Sequence, residues 1–421
     1  MTNRPNPPQH AVLRQLQASP GPFLWAGKSL EALAVQAGQT PFYAYDSARM
    51  QSTVAQLRET LPPSIQLHYA MKANPLPAVV TLMASLVDGI DVASGGELQS
   101  ALAAGARPTD ISFAGPGKRH AELQQAMAAG ILVNVESLRE VRLMAEISQQ
   151  QGLRARVAVR INPDFDLKSA GMKMGGGAKP FGIDAEQVPA VLAEIGRLGL
   201  NFEGFHLFAG SQNLNASLIA QAQKQSFDLA VRLAAHAPSP VKVLNLGGGF
   251  GIPYFPGEEA LDLTPIAANL HSLAERAKTE LPQAQLVLEL GRFMVGQAGI
   301  YVARILDRKI SRGEVFLVAD GGMHHHLAAS GNFGQVIRKN YPVTVCLSAH
   351  NVSKTPGGQA LREVASVVGP LCTPLDLLAD KMNLPVAQEG DWVVVFQSGA
   401  YGFTASPTAF LSQINCIEIL I

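Results

Sequence analysis

Charged residues are scarce in this sequence. Lys, Arg, Asp and Glu make up 16% of the 421 residues and hydrophobic residues 47%, whereas about a quarter of a typical soluble chain is charged. Much of the chain must therefore be buried or packed against another subunit, which favours an oligomer. Basic and acidic residues number 33 each, so the formal net charge is zero. Such a chain offers no positive field to a nucleic-acid backbone or an anionic membrane, and we expect neither as a partner.

Cysteine and long apolar runs are scarce as well. The three cysteines, Cys346, Cys372 and Cys416, are widely spaced and form no CxxC pair, which argues against a disulfide framework or a structural zinc site and is typical of a reducing compartment. No apolar run approaches the roughly 18 residues of a membrane span, and the start, MTNRPNPPQH, is polar and proline-rich. We therefore expect a cytoplasmic protein.

From about Ile65 the sequence alternates short apolar runs with longer stretches of helical periodicity. Eight such runs occur, near residues 65–71, 89–92, 111–114, 131–135, 155–161, 202–208, 241–246 and 285–290. Eight strands with helices between them predict an α/β fold, a closed (β/α)8 barrel of the TIM type rather than an open doubly wound sheet. After Gly299 β-type runs dominate. We therefore expect an N-terminal segment (1–37) that partly joins a β domain, a barrel (38–296), and a C-terminal, mainly β domain (297–421).

Polar or flexible residues follow nearly every predicted barrel strand. Because the carboxyl ends of barrel strands meet at one face, where barrel enzymes place their chemistry, these residues are site candidates. They are Lys72, Asp91, Arg160, His206, Ser211, Gly247, Gly248, Gly249, Glu289, Gly291 and Arg292.

For Lys72, the glycine run and Arg292, the residue type itself indicates a chemistry. A lysine at the inner end of a strand is costly to bury, and desolvation lowers its pKa toward the neutral amine that attacks a carbonyl. The backbone N–H groups of Gly247 to Gly249 can turn onto a phosphate, and Arg292 adds a planar cation for phosphate or carboxylate. The structural alternatives are a surface lysine and a tight turn.

The predicted β domain holds two further motifs. VVGPLCTPLD places Cys372, Thr373 and Asp376 after a strand and a Gly-Pro turn, and SGAYGF places Tyr401 between small residues. A buried structural cysteine and a core tyrosine are the simpler interpretations of these two motifs.

Taken in order, the motifs resemble one family. HYAMKAN, DVASGGEL, VRINPD, FHLFAGSQ, GGGFGIPY, ELGR, GPLCTPLD and SGAYGF are similar to the fold type III pyridoxal-phosphate decarboxylases, which include the diaminopimelate and ornithine enzymes. The resemblance implies a cofactor-binding barrel plus a β domain, pyridoxal 5'-phosphate as cofactor, loss of the α-carboxylate of an amino acid, and a homodimer whose active sites are shared.

The resemblance also implies residue roles. Lys72 matches the Schiff-base lysine, His206 the residue stacked on the cofactor ring, and Glu289 the partner of the pyridine nitrogen. Cys372 matches a proton donor from the neighbouring subunit. The remaining matches are groups near the phosphate (Ser211, Gly249, Arg292 and Tyr401), supporting residues (Asp91 and Arg160) and candidate substrate contacts (Arg292, Thr373, Asp376 and Tyr401).

Three departures bear on the substrate. Diaminopimelate enzymes carry an arginine and a tyrosine where this chain has Ala328 and Asn332, and Thr373 replaces the acidic residue that follows the cysteine in that family. The stretch is instead similar to a branch with exosortase-system-associated decarboxylases and decarboxylases of carrier-bound amino acids. We therefore expect neither diaminopimelate nor ornithine as the preferred substrate.

Three other interpretations are weighed against this one. A diaminopimelate decarboxylase of lysine biosynthesis remains an alternative, as does a non-catalytic regulatory homologue, although Lys72 and Cys372 are retained. An alanine-racemase-like reaction is disfavoured by Glu289, because those enzymes place an arginine at the pyridine nitrogen. We expect no metal at His324 to His326, because adjacent strand residues alternate faces.

Overall fold

The computed structural model describes residues 9–18, 22–165, 172–173, 175–352 and 361–421. They divide into two compact units, which we call the β unit and the barrel unit. The β unit takes in the described residues up to Met50 together with Pro253–Glu259 and Val295–Ile421. The barrel unit takes in Gln51–Ile252 and Ala260–Met294, as far as they are described.

The strands and helices are numbered in chain order. The strands are β1 (Phe42–Tyr45), β2 (Gln66–Ala70), β3 (Gly89–Val92), β4 (Ile111–Phe113), β5 (Leu132–Val135), β6 (Arg156–Asn162), β7 (Met172–Lys173), β8 (Ile183–Asp184), β9 (Asn201–Leu207), β10 (Gly210–Ser211), β11 (Val243–Gly248), β12 (Gln285–Leu290), β13 (Gly299–Ser311), β14 (Glu314–Ala319), β15 (Val343–Cys346), β16 (Arg362–Val368), β17 (Leu377–Pro385), β18 (Trp392–Phe396) and β19 (Ile417–Leu420). The α-helices are α1 (Ala11–Ala18), α2 (Leu30–Ala37), α3 (Ser47–Thr60), α4 (Pro77–Leu86), α5 (Gly95–Ala103), α6 (His120–Ala129), α7 (Leu138–Gln151), α8 (Val188–Arg197), α9 (Ala216–Ala234), α10 (Thr264–Glu280), α11 (Arg292–Val295) and α12 (Ala349–Val352).

The barrel unit contains a closed ring of eight parallel strands. They pair in the order β2, β3, β4, β5, β6, β9, β11 and β12, and β12 pairs back onto β2. The short β8 extends from β6 outside the ring. These strands are almost wholly buried, as expected where helices cover the outside and side chains fill the inside. The predicted barrel is confirmed.

Serine residues cap the helices that follow two of the barrel strands. Ser94 follows β3 and Ser137 follows β5, and each side chain accepts a hydrogen bond from a backbone N–H in the first turn of the next helix. A serine cap of this kind contributes about 1 kcal/mol to a helix. The caps therefore fix where the strand-to-helix loops turn, and with them the side chains at the barrel face.

The β unit is built on an eight-stranded sheet. Six strands follow the order β15, β18, β13, β14, β16 and β17, while β1 pairs with both β13 and β19. The N-terminal segment joins its core through Trp25, Leu30 and Leu33, which cluster with Phe42 and Trp392. A mainly β second domain is thus confirmed. The strand β1 pairs within this unit, although our domain division placed it with the barrel.

Within the described ranges, no helix combines the length and the apolar character needed to cross a membrane.

Candidate active site

Lys72 stands in a single 3-10 turn, Met71–Ala73, directly after β2. Its Nζ lies 3.7 Å from the Oε1 of Glu289 and 5.7 Å from the centre of the Phe208 ring. The lysine side chain keeps 42% of its surface exposed, so a ligand can reach it. Gly291 permits this arrangement, because a Cβ there would lie 2.9 Å from the Cβ of Ala73.

Glu289 is the buried anion of the site. It lies near the end of β12, and its Oε2 accepts a hydrogen bond from the Nε2 of His206 on β9 at 3.0 Å. Burial alone would raise the pKa of Glu289, but the charge of Lys72 and the hydrogen bond from His206 outweigh burial and hold the pKa well below its usual range. The site therefore contains a carboxylate that stays ionised, between an amine and an imidazole.

The three glycines after β11 form a surface of bare backbone. Gly247 and Gly249 have φ values of +69° and +78°, which favour glycine. A Cβ on Gly248 would lie 2.0 Å from the backbone oxygen of Glu289, and one on Gly249 would lie 2.2 Å from the backbone oxygen of Gly210. No other residue fits these positions without a shift of backbone, so the glycines bring two strand ends into direct contact.

Ser211 lies beside this glycine surface. Its loop is tied down by the backbone hydrogen bond from Asn213 to the carbonyl of Gly249, at 3.0 Å, and by two hydrogen bonds between Gln212 and Ile252. Among the residues that the structure describes, the buried Oγ of Ser211 has no hydrogen-bond partner. A buried hydroxyl without a partner is costly, which points to a ligand oxygen at this position.

A hydrogen-bonded chain crosses strands β2 to β5. The Nδ1 of His68 lies 3.1 Å from the Oδ1 of Asp91, and Ser112 donates to the same oxygen at 2.6 Å. Asn134 in turn donates to the Oγ of Ser112 at 3.1 Å. Asp91 is therefore held by its neighbours within the barrel.

Arg160 belongs to a second buried network. It donates to the Oε1 of Glu136 at 2.9 Å, and Glu136 also accepts the backbone N–H of Gly182 at 3.0 Å. Burial would raise the pKa of Glu136, but the charges of Arg160 and Lys118 lower it below its usual value. Glu136 thus joins several strand-to-helix loops at the barrel face.

Arg292 is the first residue of α11, directly after Gly291, and is half-buried. The structure therefore places it beside the strand end that carries Glu289. The fold as a whole brings Lys72, His206 and Glu289 into direct contact. It brings Ser211 and Gly249 close through the hydrogen bond between their two loops.

Cys372 and Tyr401 belong to the β unit. Cys372 is exposed. Tyr401 has a φ of +53°, and its ring lies 6.5 Å from that of Phe333. Their contact with the barrel site stays a prediction.

Asp376 and Thr373 lie in the turn before β17. The two carboxylate oxygens of Asp376 accept the backbone N–H groups of Met323 and Leu371 at 2.6 and 2.8 Å. The Oγ1 of Thr373 accepts the N–H of Leu375 at 3.3 Å. Asp376 therefore holds two loops together through both of its oxygens. The substrate role that we predicted for it stays a prediction.

The three adjacent histidines are buried in the β unit. His325 contacts the carbonyl of Ile414 at 2.8 Å, and His326 contacts the Oγ of Ser398 at 2.9 Å. Neither ring nitrogen of His324 has a hydrogen-bond partner among the described residues. Over the same residues, no group of three or more His, Cys, Asp or Glu is placed to hold a metal ion.

Sequence reasoning missed His68 as a member of the hydrogen-bonded chain with Asp91. It lies in the third position of β2, inside an otherwise apolar run, and so resembles a core residue. A usable signal was present, because a histidine within a buried strand needs a polar partner.

The chain matches known proteins over most of its length. A family model described as pyridoxal-dependent decarboxylase, pyridoxal binding domain, matches residues 47–296. The L-glutamyl-[BtrI acyl-carrier protein] decarboxylase of Niallia circulans is 40% identical over 385 residues, covering 91% of this chain and 89% of that protein. The diaminopimelate decarboxylase of Aquifex aeolicus is 32% identical over 394 residues, covering 93% and 89%.

A solved structure agrees with the fold. The diaminopimelate decarboxylase of Helicobacter pylori complexed with L-lysine superposes with a TM-score of 0.80 at 27% identity, covering 93% of this chain and 94% of that one.

Proposed function

Because this chain belongs to the pyridoxal-dependent decarboxylase family, we propose that Lys72 is the residue that attaches the cofactor. The chain is a pyridoxal-phosphate-dependent amino-acid decarboxylase of fold type III, as its motifs predicted. The observation that carries the proposal is the position of Lys72, with a reachable amine 3.7 Å from a buried carboxylate.

The residues of the barrel face fit the cofactor. The Oγ of Ser211, which lacks a partner among the described residues, and the bare backbone of Gly247 to Gly249 suit a phosphate. Arg292 adds a cation at the adjoining strand end, because it directly follows Gly291. The ionised carboxylate of Glu289 suits a protonated pyridine nitrogen.

Bound pyridoxal phosphate supplies an electron-accepting ring for the electrons that remain when a carboxylate leaves an α-carbon. Glu289 would keep a proton on the ring nitrogen, because a carboxylate that stays ionised stabilises the protonated ring. His206 fixes the orientation of Glu289 through the 3.0 Å hydrogen bond. Lys72 would be released as an amine when the substrate's amine takes its place on the cofactor, and it would form its bond to the cofactor again as the amine product leaves. Asp91 and Arg160 support the pocket from the networks described above.

For the substrate, we propose an amino acid that is neutral at its distal end or is extended by a linker to a carrier protein. Two positions support this. Ala328 is buried and carries no charge, and the amide of Asn332 donates to Ser330 at 2.7 Å and to the carbonyl of Leu375 at 3.2 Å. A distal carboxylate needs a placed cation, because a buried charge without a partner costs several kcal/mol. The similarity to the L-glutamyl-[BtrI acyl-carrier protein] decarboxylase of Niallia circulans also favours a carrier-linked substrate.

The alternative, a diaminopimelate decarboxylase, draws support from the Aquifex aeolicus relative. The two are separated by kcat/KM for diaminopimelate, ornithine, lysine and a carrier-linked glutamyl substrate under one set of conditions. We expect the carrier-linked substrate to be preferred. Efficient turnover of diaminopimelate alone would contradict the proposal and place the enzyme in lysine biosynthesis.

Four further points belong to the proposal. We propose a homodimer in which the exposed Cys372 of one subunit reaches the cofactor of the other as proton donor, with Thr373 and Tyr401 beside it. We also propose a cytoplasmic location, from the cysteine usage and the lack of a long apolar run, and an association with an exosortase system, from the sequence resemblance. A non-catalytic regulatory homologue would lack the cofactor absorbance band, which makes a spectrum of the purified protein the first control.

A further inference from the structure

His68 occupies a space that Gly89 leaves open. The histidine is on β2 and its residue is 8% exposed, and β2 pairs with β3 so that His68 stands opposite Gly89. A Cβ on Gly89 would lie 2.4 Å from the Nε2 of His68. The imidazole therefore lies over the glycine, and a side chain at position 89 would displace the ring.

Asp91 holds the ring in that place. Its Oδ1 takes the 3.1 Å contact from the Nδ1 of His68 and the 2.6 Å hydrogen bond from Ser112. The Oδ2 of Asp91 is buried and has no hydrogen-bond partner among the residues that the structure describes. A carboxylate in this setting is strongly attracted to a cation, and the imidazole is in direct contact with it.

His68 also stands next to Glu289. Strand β2 pairs with β12 on its other side, and in that register His68 is opposite Glu289. Burial alone would lower the pKa of His68, but the charge and hydrogen bond of Asp91, followed by the charges of Glu289 and Asp88, outweigh burial and raise the pKa above its ordinary value. Both carboxylates thus favour the protonated form of the imidazole.

Several charged or titratable groups act on Glu289. Lys72 and His206 contact it directly, Arg160 acts on it through charge, and His68 stands opposite it on β2. Among the influences that lower the pKa of Glu289, the charge of Lys72 is the largest. The neighbouring cations therefore keep Glu289 ionised, as it must be to pair with a protonated ring nitrogen.

We propose that His68 is a positioning residue of the cofactor site, which is held over Gly89 by Asp91 and helps the other cations near Glu289 to keep that carboxylate ionised. This inference rests on the proposed role of Glu289 and adds a residue that acts on the site through Glu289. It also gives Asp91 a defined task, namely to keep the imidazole charged.

The first test uses the cofactor-free protein. Imidazole resonances of histidine-labelled protein are followed against pH, and His68→Gln assigns the signal. We expect His68 to titrate above 6.5, the ordinary value of the group, and to lose that shift in Asp91→Asn. A His68 signal that titrates at or below the ordinary value would overturn the proposal.

The second test follows the absorbance of the bound cofactor against pH. His68→Gln keeps an N–H donor for Asp91 but removes the charge of the imidazole. We expect the acid limb of the absorbance-against-pH curve to move upward by about one pH unit in this variant, which is the order of the effect of one charge on a neighbouring strand. Ser112→Ala is the matched control, because it removes a neutral donor from the same oxygen, and its acid limb should stay in place. If His68→Gln does not fold, Asp91→Asn takes its place with the same expected shift.

The outcomes separate this inference from the proposed function. An unshifted acid limb in His68→Gln, or an equal shift in Ser112→Ala, refutes the positioning role of His68 alone. If Glu289→Gln leaves both the bound spectrum and cofactor affinity unchanged, the role of Glu289 fails, and the role of His68 fails with it.

Discussion

The buried histidine His326 makes the stability of the β unit dependent on pH. Its side chain is fully buried, its Nδ1 accepts the backbone N–H of Ala329 at 3.2 Å, and its Nε2 contacts the Oγ of Ser398 at 2.9 Å. These contacts require a neutral ring that donates from Nε2. Burial lowers the pKa of His326 from 6.5 to about 3.

The sign and size of the effect follow from this shift. The folded pKa lies below the unfolded one, so the contribution is present above pH 6.5 and is lost as the pH falls, because the unfolded chain takes up a proton that the folded chain refuses. At pH 5 the unfolded ring is already protonated, and the difference amounts to about 2 kcal/mol. His325, whose pKa is lowered to about 4 by burial and by its neighbour His324, adds an effect of the same sign.

The assay is urea unfolding at pH 7.5 and pH 5, monitored by the fluorescence of the tryptophans Trp25 and Trp392, both of which lie in the core of the β unit. We expect the fall in unfolding free energy between the two pH values to be smaller by about 2 kcal/mol in His326→Gln than in the parent chain. Equal falls in the two proteins would refute the reasoning, because they would mean that His326 does not refuse the proton.

Two further predictions concern the active site. Gly249→Ala should weaken cofactor binding by about tenfold or more, since the new Cβ would lie 2.2 Å from a backbone oxygen. Gly152→Ala, with a similar φ of +65° and open space around it, should leave the cofactor affinity unchanged. Equal affinities of the two variants in a fluorescence titration would contradict phosphate binding at the glycine surface. Mixing Lys72→Ala with Cys372→Ala should restore about a quarter of the active sites. Half of the random dimers would be mixed, and one of the two sites in each mixed dimer would be intact. Confirmed subunit exchange with no recovered activity would rule out the shared site.

The sequence predicted the barrel and the location of its chemistry because both are local patterns. Apolar runs ending in Lys72 or Glu289 can be recognised without knowing which strands pair. The placement of β1 could not be predicted in this way, because its partner β13 lies far along the chain and its four residues, FYAY, resemble any buried strand. Pairing over such a distance depends on tertiary contacts rather than on local pattern.

The polar interior of the barrel shows a second limit. The contact between His68 and Asp91 at 3.1 Å depends on the open space at Gly89, and a glycine in a strand has several possible explanations. Asp376 shows the same limit: its motif suggested a substrate contact, which stays a prediction, but not that both of its oxygens accept backbone N–H groups. Side-chain partners across strands are a property of the folded barrel, which one-dimensional spacing does not contain.

The central claim is that Lys72 carries the cofactor, and borohydride reduction of the loaded enzyme followed by peptide mass spectrometry tests it most directly. We predict that the cofactor mass is found on the peptide with Lys72 and is absent from Lys72→Arg, which keeps a cation beside Glu289 but cannot form the covalent link. Cofactor mass on a different lysine of the parent enzyme, or undiminished labelling of Lys72→Arg, would contradict the account.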